Sequence, residues 1–235
     1  MNSTTVVTFK DEQLRFSRVR TAYSEKEAQV KSLFNDWGVH YTNYELLIRG
    51  FKKEKKLQVW ARDKDAAKYK LIKTYDYCRL SGSLGPKRKQ GDLQVPEGYY
   101  HIDRFNPASS FYLSLGINYP NSSDRKKSTH SNLGGDIFVH GNCVSIGCIP
   151  ITDAKIKELY VMCVEAKSNG QAKIPVHIFP CKMSDSEWTG LKSEYEDQPE
   201  LISFWENLRP GYLHFETKNA PAKVTISSDG SYQYN

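Results

Sequence analysis

Several features that would narrow the class of this protein are absent from its 235 residues. No apolar run approaches the ~20 residues that a membrane-spanning helix needs, so we expect no integral membrane segment. The first residues, MNSTTVVTFKDEQ, lack the basic start and long apolar core of a signal peptide, which taken alone predicts a cytoplasmic protein. No repeat or low-complexity segment occurs. No helix-turn-helix, RNP or finger pattern accompanies the basic residues, so nucleic acid is not an expected partner.

What is present suits one globular catalytic domain with additions. Hydrophobic residues make up 39% of the chain and aromatic residues 12%, which argues against disorder. The length is sufficient to bury a sizeable core. We expect three parts: an N-terminal helical appendage (1–41), a catalytic domain (42–183) and a C-terminal helical extension (184–235).

Periodicity predicts short strands, with helices before, between and after them. A capping-box pattern at Ser24 and an apolar stripe ending at Trp37 predict an N-terminal helix. A middle helix is expected from Thr152 or Asp153 to about Ser168. Apolar residues at helical spacing near the C-terminus predict a third helix. Strands are predicted over 44–49, 56–62, 69–75, 98–104, 111–115 and 175–179. The pattern favours a mainly β, barrel- or sandwich-like core within an α+β chain.

Basic residues cluster at 52–56, 87–89 and 125–127, and the net charge is +6. The 52–56 cluster lies in a predicted hairpin loop, so we interpret it as a solvated loop tip. The loop at 82–91 and the polar stretch at 116–135 are predicted to frame a substrate channel, the latter as a lid that includes His130. Lys87, Arg88 and Arg125 are then the candidates to bind substrate carboxylates.

The segment from Asp136 to Asp153, DIFVHGNCVSIGCIPITD, carries the strongest functional signal. Cysteine catalysis needs a thiol on a tight turn and an imidazole close to it. Cys148 is the candidate nucleophile and His140 its base, with the Gly141 carbonyl fixing the imidazole tautomer. The N–H groups of Ile146, Gly147 and Cys148 could form an oxyanion hole. Asn142 and Ser145 complete the candidate site as substrate-binding residues.

Other interpretations of the same residues remain open. A histidine that ends an apolar strand, or a free cysteine, is often a buried structural residue, as expected for His177 and Cys163. The H-x2-C-x4-C spacing of His140, Cys143 and Cys148 lacks a fourth ligand, so no metal and no cofactor are expected. Cys143 could be a resolving thiol, a packing residue or a neighbour that tunes Cys148, and packing is favoured.

VHGNCVSIGC resembles the active-site signature of the YkuD-type L,D-transpeptidase catalytic domain, in particular its YafK-like branch. The resemblance continues in order through LSGSLGPKRKQGDLQVPEGYY (80–100), FYLSLGINYPNSSD (111–124), VHIFPCKM (176–183) and FWENLRPGY (204–212). Pro150 stands where many members have an arginine, and Ile146 where many have a histidine. The departure at Pro150 fits the branch, but it puts in doubt any substrate contact carried over from the wider family. Ile146 leaves His140 as the only imidazole inside the motif.

The resemblance implies a β-rich domain with the cysteine on a turn before a helix. It implies acyl transfer on peptidoglycan stem peptides, in which Cys148 attacks the diaminopimelate carbonyl and forms a thioester. An amine acceptor would give transpeptidation and water would give hydrolysis. The branch also suggests a carboxypeptidase, or an amidase that releases an envelope lipoprotein.

The resemblance further implies a location in the periplasm or cell envelope, with the export signal already removed. A hypothesis of a different class is a non-catalytic protein that binds the cell wall on the same fold.

Overall fold

The N-terminal part of the chain is helical, as predicted. In the computed structural model, which describes residues 7–235, helix α1 spans Phe9–Gln13 and helix α2 spans Ser17–Asp36. The start expected at Ser24 is wrong, because α2 begins earlier. Arg20 Nη1 donates to the carbonyls of Leu14 and Arg15 and so satisfies the turn before the helix. The apolar stripe only partly faces the core: Phe34 is fully buried, but Trp37 is 47% exposed.

Eight strands form one curled mixed sheet in the order β3-β2-β1-β8-β4-β5-β6-β7. Strand β1 is parallel to β8 and β6 is parallel to β7, while the other neighbours are antiparallel. The strands are β1 (Tyr44–Phe51), β2 (Lys56–Asp63), β3 (Lys70–Asp76), β4 (Gly98–Asn106), β5 (Ser114–Ile117), β6 (Phe138–His140), β7 (Ile149–Pro150) and β8 (Pro175–Phe179).

Helices cover both faces of the centre of this sheet. Helix α4 (Asp153–Ser168) packs with α2 on one face, and the helices α5 (Asp185–Glu194) and α6 (Pro199–Lys218) supply the core on the other. Strand β1 is therefore buried on both sides, with Ile48 facing one core and Phe51 the other. The predicted β-rich core with N-terminal, post-nucleophile and C-terminal helices is confirmed.

Two segments differ from the sequence expectation. The stretch at 116–135 is not one long loop, because it contains helix α3 (Ser122–Lys127), which begins with a capping box between Asn121 and Asp124. The chain ends in a β-hairpin, β9 (Val224–Ile226) and β10 (Tyr232–Tyr234), rather than in helix alone. The hairpin is bound to α3, since Ser123 Oγ donates to the Gly230 carbonyl at 2.6 Å.

Lys52 is not at a solvated loop tip, so this interpretation of the 52–56 cluster is wrong for its first residue. Its side chain is fully buried and its ammonium lies 3.0 Å from a carboxylate oxygen of Glu97. It also donates to the carbonyls of Gly85 and Val95. The second carboxylate oxygen of Glu97 accepts a 2.6 Å hydrogen bond from the Trp205 indole. This buried cluster connects α6 to the loop before β4.

Candidate active site

Strand pairing places His140 and Cys148 next to each other. In the parallel pair of β6 and β7, Val139 lies beside Ile149 and His140 beside Pro150. Continued by one residue, this register sets Cys148 beside Phe138. Strand β7 itself begins at Ile149, so Cys148 is the last residue of the turn that enters β7.

The His140 ring is held from two sides and is only 1% exposed. Nδ1 is bonded to the Gly141 carbonyl, as the sequence predicts, which leaves Nε2 as the acceptor of the neutral ring. The Phe111 ring lies against the imidazole with 4.6 Å between centroids. Burial lowers the pKa of His140, and the bond to Gly141 offsets only part of this effect. The imidazole is therefore neutral at neutral pH.

Cys148 is a free, partly buried thiol. Its Sγ donates to the Asp136 carbonyl at 3.6 Å, and the described residues include no hydrogen bond from Sγ to His140. Burial raises the pKa of Cys148, the Phe138 backbone lowers it, and the Asp136 carboxylate raises it again. The resting site thus combines a protonated thiol with a neutral imidazole. Such a pair can react by proton transfer during attack.

The turn before Cys148 is organised by the Ser145 hydroxyl. Ser145 Oγ donates to the Cys148 carbonyl at 2.8 Å and accepts from the Gly147 N–H at 3.2 Å. It also lies 2.9 Å from Ser81 Oγ. Gly147 has a φ of +133°, and a Cβ there would come within 3.0 Å of the Gln94 carbonyl oxygen. Glycine is therefore required at this position, whereas Ile146 is 79% exposed.

The other end of the motif is anchored to helix α4. Asp153, its first residue, accepts a 2.7 Å hydrogen bond from the Asn142 N–H. A Cβ on Gly141 would meet the same carboxylate at 2.4 Å and the Phe111 carbonyl at 2.8 Å. Gly141 therefore permits this close approach. Thr152 is the N-cap, but its side chain makes no capping hydrogen bond.

A disulfide joins Cys78 to Cys143, with 5.5 Å between their Cα atoms. The expectation that Cys143 is a packing residue is therefore wrong. The bridge ties the segment after β3 to the turn between His140 and Cys148. The Cys78 N–H also donates to the carbonyl of Pro150, in β7, at 2.9 Å. Cys163 is fully buried and free, as expected.

The three cations proposed for substrate binding lie in different environments. Lys87 is 4% exposed and its ammonium is bound to Asp92 at 2.6 Å, although it still lowers the pKa of Cys148. Arg88 pairs with Asp124 at 2.9 Å and lines a cavity of about 880 Å³. Arg125 lines a separate cavity of about 470 Å³. The larger cavity is bordered by both predicted channel segments, including His130, but not by Cys148 or His140.

Within residues 7–235, no group of three or more His, Cys, Asp or Glu side chains is arranged to hold a metal ion. None of the helices in the same range has the length and apolar character to cross a membrane.

Residues 43–178, more than half of the chain, match the family description "YkuD: L,D-transpeptidase catalytic domain". The chain belongs to this family. This YkuD protein is 37% identical over 182 residues to a protein of Escherichia coli K12 provisionally named L,D-transpeptidase YafK. The match covers 76% of this chain and 70% of that protein. The corresponding protein of Escherichia coli O157:H7 is equally similar.

Solved structures similar to this YkuD protein include the helical cell shape determining protein Pgp2 from Campylobacter jejuni. That likeness has a TM-score of 0.47 at 17% identity and covers 84% of this chain and 80% of Pgp2. L,D-transpeptidase 1 of Mycobacterium tuberculosis has a TM-score of 0.32 at 15% identity, with 58% and 62% of the two chains covered.

Sequence reasoning missed several residues around the site. Phe111, which stacks on His140, was assigned to a strand, but β5 begins only at Ser114. Asp136 comes close to Cys148 through a backbone carbonyl, which no side-chain pattern reveals. Glu97 lies in the VPEG segment, and a carboxylate within an apolar run was an available signal for a buried ion pair.

Proposed function

We propose that this YkuD protein is a cysteine acyl-transfer enzyme acting on peptidoglycan stem peptides. The bond attacked is the one between the diaminopimelate carbonyl and the residue that follows it. The observation that carries the proposal is the position of Cys148, which directly precedes β7, next to β6, the strand that ends at His140. Family membership supplies the class of substrate.

The two residues have complementary parts in the reaction. The Cys148 sulfur attacks the carbonyl carbon while its proton passes to His140 Nε2. The amine of the following residue then leaves with that proton, and a thioester remains on Cys148. Because Nδ1 is bonded to the Gly141 carbonyl, the ring presents Nε2 as the basic nitrogen throughout.

The tetrahedral intermediate carries a negative oxygen, which needs donors. We assign this part to the N–H groups of Ile146, Gly147 and Cys148. The Gly147 N–H is bound to Ser145 Oγ in the resting site, so it has to exchange this partner for the substrate oxygen. Asn142 and Ser145 border the same turn and are proposed to contact the bound peptide.

The acceptor decides between two outcomes of the thioester. A second stem-peptide amine gives transpeptidation, and water gives hydrolysis. Hydrolysis would include the release of an envelope lipoprotein joined to diaminopimelate. Both outcomes place the enzyme in the periplasm or cell envelope. The Cys78–Cys143 disulfide favours such an oxidising compartment.

A non-catalytic cell-wall-binding protein is the second candidate function. The excess of basic over acidic residues favours it, because anionic polymer would be attracted to such a surface. A binding function alone does not explain why a partly buried thiol, Cys148, lies close to the neutral imidazole of His140.

The test is to incubate the protein with muropeptides and with a carbapenem, and to analyse both by mass spectrometry. We expect new or shortened muropeptides and a carbapenem adduct on Cys148. Cys148→Ser should lose at least about 100-fold in turnover, because the hydroxyl is a far weaker nucleophile than a thiol at neutral pH. Cys163→Ala is the matched control for removing a thiol. Unchanged muropeptides without any adduct would leave the binding protein as the answer.

A further inference from the structure

The loop from Ser81 to Glu97, which precedes β4, is closed at its base by a buried ion pair. Lys52 and Glu97 are both fully buried, and the ammonium lies 3.0 Å from a carboxylate oxygen. Lys52 donates to the carbonyl of Gly85 at 2.8 Å and to that of Val95 at 2.9 Å. The Gly85 N–H donates to the Glu97 carboxylate at 2.7 Å. The ion pair therefore joins the two arms of the loop.

Beyond this base, the loop touches the nucleophile turn at two places. Ser81 Oγ lies 2.9 Å from the Oγ of Ser145, the residue that organises the turn. The Gln94 carbonyl oxygen lies 3.0 Å from the position that a Cβ on Gly147 would take. The Gln94 side chain also bridges the arms, since it accepts from the Ser83 N–H at 3.1 Å and donates to the Ser83 hydroxyl at 3.0 Å. A displacement at the base of the loop is thus passed on to the turn.

The bonds made by this ion pair fix backbone positions. A buried ion pair by itself adds little stability, because apolar side chains of similar volume often fill the same space as well. Apolar side chains could not hold the Gly85 and Val95 peptide groups, however. The Trp205 indole, on α6, donates to the second carboxylate oxygen of Glu97 at 2.6 Å. Both oxygens of this carboxylate are therefore held, and the base of the loop has one defined position.

We propose that Lys52 and Glu97 are positioning residues for the nucleophile. They fix the base of the loop, and the loop holds the turn that carries Cys148. Their effect passes through Ser81 and Gln94, which contact the turn directly. The inference rests on the proposed function for the role of Cys148 as the nucleophile, but the reactivity of its thiol can be measured without any substrate.

The experiment compares the wild-type protein with Glu97→Gln in two measurements. The first is kcat/KM with a muropeptide, which should fall at least about tenfold, since a misplacement of about 1 Å can cost about 100-fold in rate. The second is the rate of iodoacetamide labelling of Cys148 as a function of pH, which follows the thiolate.

The labelling profile should move to lower pH in Glu97→Gln. Burial is the largest influence that raises the pKa of Cys148, and a displaced loop lets water reach the sulfur. Lys87, on the same loop, lowers this pKa, but its effect is smaller than that of burial. We therefore expect a shift of at least about 0.5 pH unit, a small part of the 3–5 units or so that full burial can cause.

A double variant separates positioning from stability. Glu97→Gln leaves the Lys52 ammonium buried without its charged partner, which lowers the urea midpoint. In Lys52→Met combined with Glu97→Gln no unpaired charge remains, so the midpoint should recover in part. Its kcat/KM should stay low and its labelling profile shifted, because nothing joins Gly85 to Val95. If Glu97→Gln alone fails to fold, the double variant carries the test.

Glu165→Gln is the matched control. Glu165 is also a buried carboxylate, paired with Lys10 at 2.6 Å, and it lies near the end of α4 rather than at the loop. This variant should lower the urea midpoint but leave the labelling profile of Cys148 unchanged.

An unshifted labelling profile in both Glu97 variants would overturn the inference, and so would recovery of kcat/KM together with the urea midpoint in the double variant. The ion pair would then only stabilise the fold. Failure of the proposed function looks different. In that case the wild-type protein would yield no muropeptide product and no carbapenem adduct, while the labelling profile would still shift in Glu97→Gln.

Discussion

At the scale of single residues, the buried imidazole of His140 determines how the Cys148 thiol can be activated. Burial lowers the pKa of His140 and raises that of Cys148, so both groups are uncharged at neutral pH. A preformed thiolate–imidazolium pair is thereby disfavoured in the resting enzyme. Base assistance at the moment of attack takes its place, and the basic form of His140 persists below the ordinary histidine pKa of about 6.5.

His140→Gln should shift the pH dependence of Cys148 alkylation. In the wild-type protein, labelling by iodoacetamide should continue below pH of about 6.5, because the lowered pKa keeps the imidazole neutral there. In the variant, labelling should fall by at least about tenfold at pH 7 and recover only above pH of about 8.5, the range of an unassisted thiol. The measurement is the rate of mass increase at Cys148 between pH 5 and 10.

His130→Gln is the matched control, since His130 is exposed and lines only the large cavity. Superimposable profiles for the wild-type protein and His140→Gln would mean that His140 has a structural role and that the assignment of the base is wrong.

At the scale of elements, the turn from Ser145 to Cys148 holds the sulfur in place. Gly147→Ala should lower kcat/KM by at least about tenfold, because the φ of +133° and the close Gln94 carbonyl force the turn to move. Backbone strain of this kind costs on the order of 1–3 kcal/mol, and about 1.4 kcal/mol in the barrier is a tenfold change in rate. Steady-state kinetics with a muropeptide substrate measure the effect.

Gly135→Ala provides the comparison, because a Cβ at Gly135 has no atom within 4 Å. It should retain activity close to that of the wild-type protein. Equal activity of the two alanine variants would show that the turn does not position the nucleophile.

Sequence analysis predicted the site correctly where the interacting residues lie close together along the chain. His140, Gly141 and Cys148 lie within one short segment, so spacing alone predicted the strand, the turn and the Gly141 acceptor. The strands predicted over 44–49 and 175–179 followed from apolar runs in the same way, although β1 continues to Phe51.

Features that depend on remote partners were beyond sequence analysis. Lys52 lies in a charged run and is buried only because Glu97 and the Trp205 helix arrive from distant positions. Cys143 gave no sign that Cys78 would meet it, since β3 and β7 are the two edges of the sheet and approach each other only because the sheet is curled. Helix α3 differs from these features, because it depends on no remote partner. Its capping box, formed by Asn121 and Asp124, is visible in the sequence and predicts a helix start there.

At the scale of the whole molecule, the disulfide closes a long segment of chain. Cys78 and Cys143 are 65 residues apart, and closing a loop of this length in the unfolded chain corresponds to about 4 kcal/mol in the chain-entropy description. Replacing both cysteines by serine should lower the free energy of unfolding by about 2–4 kcal/mol, as measured by urea denaturation.

Dithiothreitol should destabilise the wild-type protein by a similar amount and leave the double variant unchanged. An unaltered urea midpoint after reduction would contradict the bridge as a source of stability. The same variants report on activity, because Cys143 precedes the nucleophile turn by only a few residues.

The parallel pairing of β1 with β8 also governs when this chain can fold. Ile48 lies beside Val176 and Phe51 beside Phe179, so the middle of the sheet is assembled from segments near opposite ends of the chain. Contacts of such large sequence separation form late and slowly. The ribosome must therefore release the chain at least as far as Phe179 before the central strands can meet. The two halves of the sheet therefore stay unjoined during most of synthesis, and the last step of folding brings them together at β8.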